Sequence, residues 1–303
     1  MQFNPREFLH DQRQKLHTRF VTGWKSQTLF EFITFGVKQG WACLFGGLML
    51  AILLITFFFY PEDAPLRRYD FITLAAIAIQ VLLLLLKLET FEEARIILVF
   101  HIVGTVMEIF KTHVGSWEYP EPSYLNIMGV PMFSGFMYAS VGSYIARVWR
   151  IFDFEFDRFP PLMWQALLAL LIYINFFSHH YVTDVRWALF IISVALYGPS
   201  VIWFKADEKH RWMPLLVGMV LFSLFIWFAE NIGTFARAWT YPSQKKGWHM
   251  VSIHKLGAWY LLMIISFVLV ACVHKPTTIS SRAGKKGTAD LKRPHGPNIS
   301  KET

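Results

Sequence analysis

Glu108-Ile-Phe-Lys-Thr-His-Val-Gly-Ser-Trp-Glu-Tyr-Pro120 has a counterpart 122 residues further on, Glu230-Asn-Ile-Gly-Thr-Phe-Ala-Arg-Ala-Trp-Thr-Tyr-Pro242. Glu108/Glu230, Thr112/Thr234, Trp117/Trp239, Tyr119/Tyr241 and Pro120/Pro242 match without a gap, giving the pattern E-x3-T-x4-W-x-Y-P. The same offset pairs Phe100 with Phe222, Gly135 with Gly257 and Tyr138 with Tyr260. Agreement at chemically unusual residues, at one spacing, is the mark of an internal duplication.

Around these motifs the chain is apolar. Its 303 residues have a mean hydropathy of +0.38, with 17% aromatic and 17% charged residues. Spans of bilayer length are expected at about 41–59, 71–88, 95–112, 127–149, 162–180, 185–204, 213–232 and 252–273. The fold class that follows is an all-α polytopic membrane protein with about eight transmembrane helices. The offset carries the first four spans onto the last four, so the expectation is two parallel four-helix repeats, 41–149 and 150–274. A polar arm and an interfacial helix (28–39) occupy 1–40, and a disordered basic cytoplasmic tail occupies 275–303.

The charges orient this arrangement. With the N-terminus inside, 21 of the Lys and Arg residues fall on the inner side and 8 on the outer, so both termini are expected in the cytoplasm. The net charge of +8 is thereby explained by topology and does not call for nucleic acid. The first 26 residues hold no apolar core of a cleavable signal peptide. Cys43 and Cys272 lie in expected spans, which argues against a disulfide or a cysteine metal site. No P-loop, dinucleotide fingerprint, kinase set or G-x-S-x-G elbow occurs, and no cofactor is implied.

The candidate chemistry lies at the outer ends of the third and seventh spans. A carboxylate at that depth is costly unless paired, hydrated or protonated. Glu108 and Glu230 are therefore the candidate catalytic pair, sharing a proton so that one is an acid and the other a base. His101, Thr105, Glu108 and Thr112 are spaced to share one helix face, which makes His101 a third catalytic candidate. Thr112, Trp117, Tyr119, Asn175, His179, Asn231, Thr234, Trp239 and Tyr241 are candidates for binding a substrate at the same level. A competing reading is that each Glu locks its helix end to the loop through the Trp and Tyr of its own motif. The aromatic pairs also fit an interfacial belt. The histidines His113, His179, His180, His249 and His254 lack a ligand spacing on one helix, so no metal site is expected. Gly135, Ala139, Gly142 and Ala146 read as a close helix contact. Glu89, Glu92 and Glu93, with Lys87 and Arg95, read as a solvated inner turn, with Glu89 within reach of Lys87 or Arg95.

Several further stretches carry a family resemblance. They are Lys38-Gln-Gly-Trp-Ala-Cys-Leu-Phe45, Arg68-Tyr-Asp70, Leu88-Glu-Thr90, Phe100-His-Ile-Val-Gly104, Met107-Glu-Ile-Phe-Lys111, Gly115-Ser-Trp-Glu-Tyr-Pro-Glu121 and Gly129-Val-Pro-Met-Phe-Ser-Gly-Phe-Met-Tyr-Ala139. Together they resemble the YoaT-like bacterial integral membrane proteins (domain of unknown function number 817), over about residues 30–274. The resemblance implies a bacterial cytoplasmic (inner) membrane location and supplies no catalytic residues. A weaker likeness, a Glu at a helix end followed by an aromatic-x-Tyr, links the motif to the membrane carotenoid cyclases and hydratases. Those enzymes protonate or hydrate isoprenoid double bonds with embedded carboxylates; their second acidic motif is missing here.

Three functions fit these residues. One is an enzyme acting on an isoprenoid or other lipid by carboxylate acid–base chemistry at the outer-leaflet level. Another is a small-solute or proton-coupled transporter, and the third is a non-catalytic scaffold or assembly factor. The expected partners are membrane lipids and a hydrophobic small molecule.

Overall fold

The computed structural model describes residues 24–278, apart from 208 and 275. The N-terminal arm up to residue 23 and most of the C-terminal tail (279–303) lie outside the described residues. Helices dominate: α1 (Trp24–Ala42), α2 (Leu44–Phe59), α3 (Arg68–Leu85), α4 (Phe91–His113), α5 (Phe133–Ile151), α6 (Leu162–Ser178), α7 (Arg186–Tyr197), α8 (Leu215–Phe235) and α9 (Lys255–Val273).

A helix thus stands at each stretch where a span was expected, but not all are long and apolar enough to cross a bilayer. Among the described residues α3, α8 and α9 meet that test singly, and α1 with α2, bent by 67° at Cys43, would make a fourth span. The eight crossings are therefore not established. The shortfall has two causes. α4 carries Glu92, Glu93, Arg95, Glu108 and Lys111, and α7 has 12 residues, roughly 18 Å of helix against about 30 Å of hydrocarbon.

The all-α expectation also needs correction. Strands β1 (Asn126–Ile127) and β2 (Val130–Pro131) form a hairpin before α5. Strands β3 (Glu155–Asp157), β4 (Val201–Lys205), β5 (His210–Pro214) and β6 (Thr277–Thr278) form a sheet in the order β5-β4-β3-β6. The stretch 185–204 does not remain helical, because Gly198 and Pro199 end α7 and Pro199 has no N–H to give. The Val-Ile-Trp-Phe run after it suits a strand, and Trp203 pairs opposite Trp212 across the β4/β5 hairpin. This hairpin is tied to α1 by Arg211 to Glu31 at 2.6 Å and by Lys38 Nζ to the Lys205 carbonyl at 2.8 Å.

The closest helix contact is α4 against α5, as the small-residue stripe implies. A Cβ on Gly104 would come within 2.6 Å of Tyr138, and one on Gly142 within 2.6 Å of the Phe100 ring. Below it, where the sequence alone suggests a solvated turn, lies a polar core. Glu89 pairs with neither Lys87 nor Arg95; its carboxylate meets Arg147 of α5 at 2.9 Å, with both side chains fully buried. Thr90 and Glu93 form a reciprocal cap on α4, and Glu93 pairs with Arg150 at 3.0 Å. Turning the chain from helix to helix brings α5 over these carboxylates, a proximity that sequence spacing does not contain.

The outward helix faces are apolar: Phe59, Leu74, Leu98, Leu170, Ile191 and Phe228 are all exposed. So much uncovered apolar surface, with the backbone bonded inside helices, is that of a membrane protein.

Candidate functional site

Both motifs fold by the same turn. At the end of α4 the Ser116 amide donates to the Lys111 carbonyl and the Gly115 amide to the Thr112 carbonyl. At the end of α8 the Ala238 amide donates to the Gly233 carbonyl and the Arg237 amide to the Thr234 carbonyl. This pairing reverses the chain with one residue in the left-handed region. Gly115 takes that place at φ +72°, and Arg237 takes it at φ +52° with a side chain present. After the reversal each loop runs back over its own helix end. The loops meet where Glu118 and Thr240 form an antiparallel bridge, with N···O distances of 3.0 and 2.9 Å.

The reversal returns the aromatics to the carboxylates. Tyr119 donates to Glu108 Oε2 at 2.6 Å and the Trp117 indole donates to the same oxygen at 2.7 Å. At the second motif the Tyr241 hydroxyl donates to Glu230, but Trp239 does not; the indole of Trp259, from α9, takes that role. Gly233 accounts for the change, since Trp239 packs directly on it and a Cβ there would lie 2.2 Å from the ring. Burial first, and then the neighbouring carboxylate, push the Tyr119 and Tyr241 hydroxyls well above the usual tyrosine range. Both remain donors at neutral pH. The contacts by which each Glu locks its loop are thus made.

They do not close the site. Glu108 and Glu230 line one cavity of about 230 Å³, together with Tyr138, Trp117, Tyr119, Trp239, Tyr241 and Trp259. The lower wall is Gly46, Gly47 and Leu50 of α2 and Phe222, Phe225 and Ile226 of α8. Gly47 and Phe225 are exposed, so the cavity reaches the side of the bundle between these two helices. The arrangement therefore offers an apolar chamber, entered from the side, with two buried carboxylates and hydroxyl and indole donors at its inner end.

Loop anchors hold this geometry. The Asp70 carboxylate accepts from the Ser123 hydroxyl and from the Tyr124 and Leu125 amides. Arg68 pairs with Glu121 at 3.1 Å and donates to the Ala236 carbonyl at 2.7 Å, while Tyr69 donates to the Arg237 carbonyl. The start of α3 thereby clamps both loops.

The other sequence candidates lie around the chamber. His101 does not line it; its ring packs on Phe136 at 4.5 Å and closely against Gly135. Thr112 donates back to the Glu108 carbonyl and borders a neighbouring hollow. Asn231 accepts from the Val251 amide and donates to the Trp227 carbonyl. Thr234 accepts from the Trp248 indole. Asn175 bonds Asp184 and the Val185 amide, and His179 contacts the Asn175 carbonyl. Sequence reading missed Tyr138, which lines the chamber beside Glu108, and Trp259, which bonds Glu230. The offset match of Tyr138 with Tyr260 was the available signal for the first. Among the described residues the metal-ligating atoms that cluster within 4.8 Å belong to Asp153, Glu155 and His210, on the sheet and not at the chamber.

Comparison with known proteins fits this architecture. The family described as Protein of unknown function (DUF817) matches residues 31–267. The chain belongs to this family. It is also similar to "Uncharacterized protein YoaT" of Bacillus subtilis (strain 168), with 39% identity over 241 residues, 80% of this chain and 90% of that protein. No solved structure matches. The likeness to carotenoid cyclases and hydratases finds no support in these comparisons.

Proposed function

We propose that this DUF817 protein is a bacterial inner-membrane enzyme that moves a proton on an apolar, unsaturated lipid such as an isoprenoid. The observation that carries the proposal is that the two motif carboxylates share one apolar chamber open at the side of the bundle. A lipid can enter through such an opening without crossing water. Glu108, as the acid, gives its proton to an alkene carbon: its O–H bond breaks, a C–H bond forms, and a carbocation remains beside a carboxylate. Glu230, as the base, removes a proton from the neighbouring carbon and the double bond has shifted; the proton then returns from Glu230 to Glu108, so that no co-reactant is consumed. The faces of Trp117, Trp239 and Trp259 favour the cation in between. Tyr119 and Tyr241 hold the carboxylates in place and stabilise whichever is ionised.

The same reading includes the duplication, the eight crossings and cytoplasmic termini. It is supported by the bridge between Glu118 and Thr240, which are offset equivalents, and by the shared left-handed turn at Gly115 and Arg237. It places the chamber at the outer-leaflet level.

A second reading, a carrier, is favoured by one feature. The break between α1 and α2 borders the chamber at Cys43, Gly46 and Gly47, and interrupted helices line many transporter sites.

The test is untargeted mass spectrometry of membrane lipid extracts. A bacterial strain lacking the protein is compared with strains complemented by wild type, Glu108→Gln or Glu230→Gln, at matched protein levels. The expected result is a lipid that accumulates on deletion and clears only with wild type. Clearance by Glu108→Gln at wild-type abundance, or indistinguishable extracts throughout, would overturn the enzyme reading.

A further inference from the structure

Beside the chamber's aromatic wall stand two lysines that make no ion pair among the described residues. Lys111 lies three residues beyond Glu108 on α4 and is only 5% exposed. A buried ammonium normally has a counter-charge, yet among the described residues no carboxylate pairs with it. Its Nζ instead meets His180 Nε2 at 2.9 Å and lies 4.2 Å over the Phe176 ring. With Nε2 accepting from the ammonium, neutral His180 carries its proton on Nδ1, which is its one donor. Lys255, at the start of α9, also makes no ion pair among the described residues. Its Nζ sits 3.8 Å from the Tyr241 ring and 5.9 Å from the Trp117 ring, two walls of the chamber.

These charges act on one another. Lys255 and Arg186 both bear on Lys111, opposed by Asp184, and Glu230 bears on Lys255. Asp184 is itself paired with Arg186 at 2.6 Å, so two lysines face the one remaining carboxylate, Glu230. The positive charge is thus concentrated where the chamber's aromatic wall meets the loop. Nothing in proton transfer between Glu108 and Glu230 requires it.

We propose that Lys111, Lys255 and His180 form an anion subsite taking the phosphate group of an amphiphile whose apolar chain occupies the chamber. This rests on reading the chamber as a substrate site and narrows the substrate to a lipid phosphate, such as a polyprenyl phosphate. Lys255 faces the rings directly, and His180, itself exposed, contacts Lys111 from the outside.

The test uses the full-length protein in nanodiscs of uncharged lipid, with quenching of its tryptophan fluorescence as the readout. The probes are farnesyl phosphate, farnesol and inorganic phosphate. Farnesyl phosphate is expected to bind at least ~10-fold more tightly than farnesol. Lys255→Gln, alone and with Lys111→Gln, should reduce this preference to less than ~3-fold while farnesol affinity is unchanged. Lys111→Arg should preserve it and serves as the folded control. Farnesol binding with no preference for the phosphate would overturn the subsite and leave the chamber reading intact. A preference that survives both Gln substitutions would overturn it as well. Inorganic phosphate binding that depends on the lysines, without binding of either farnesyl compound, would make this a free-anion site and overturn the amphiphile. Binding of no probe would overturn subsite and chamber together.

Discussion

Replacing Arg147 by Met tests how the inner half of the bundle is held. Its guanidinium meets Glu89 at 2.9 Å with both side chains fully buried, and also donates to the Trp41 carbonyl at 3.3 Å, at the α1/α2 break. Gln80 and Ser143 complete the shell around Glu89. Removing one partner strands the other charge, so Arg147→Met should cost about 3–5 kcal/mol. At the ~2–4 °C per kcal/mol of a 150–250-residue protein, the midpoint should fall by roughly 6–20 °C. Glu89→Gln strands the guanidinium instead and should cost a similar amount. The double variant leaves no unpaired charge and should recover to within ~1–2 kcal/mol of wild type, a coupling of at least ~4 kcal/mol. Thermal scanning in detergent at one scan rate compares all four proteins; the scan rate matters because unfolding of such proteins is rarely reversible. Additive losses, with the double variant the least stable, would refute the reasoning that charge compensation governs this contact.

Two further outcomes follow from the loops around the chamber. Gly233→Ala places a methyl where Trp239 now packs, 2.2 Å from its ring, and should cost ~1–3 kcal/mol by overpacking; the midpoint in the same thermal scan checks this. Asp184 lies in the loop between α6 and α7, where burial would raise its pKa, but bonds from the Arg186 amide, the Asn175 amide group and the Arg186 guanidinium outweigh it and hold the group below the usual range. A depressed carboxylate stabilises the fold above its unfolded pKa of about 3.9 and loses that contribution as pH falls through the folded value; Asp184→Asn should therefore flatten the acid side of the stability profile below about pH 4, and an unchanged slope would exclude it.

Parts of this protein are fixed within a few turns of chain and are therefore legible in its sequence. Helix positions follow from apolar runs, and the reciprocal cap of α4 from Thr90 and Glu93 three residues apart. Each Tyr lies 11 residues after its Glu in both motifs, so a single reversal at Gly115 or Arg237 brings hydroxyl to carboxylate. Close packing of α4 on α5 follows from Gly135 and Gly142, because only small residues admit a ring or backbone so near. The sheet was missed because hydropathy counts apolar residues without regard to period: Val201–Lys205 is as apolar as a helix end, and only Pro199 and Pro214 hint at its pairing.

What the tertiary structure decided is which distant residues share a space. Trp259, not Trp239, serves Glu230, because Gly233 lets Trp239 sink against α8 and α9 passes beside the vacated position. Arg147, not Lys87 or Arg95, neutralises Glu89, because α5 crosses there. Glu108 and Glu230, 122 residues apart, come to line one chamber because α3 clamps both loops through Arg68, Tyr69 and Asp70. The sequence by itself determined the local folds, since hydrogen bonds along a helix or across a turn span only a few residues. The meeting of the two carboxylates is a property of packing, which chooses among many partners equally remote along the chain.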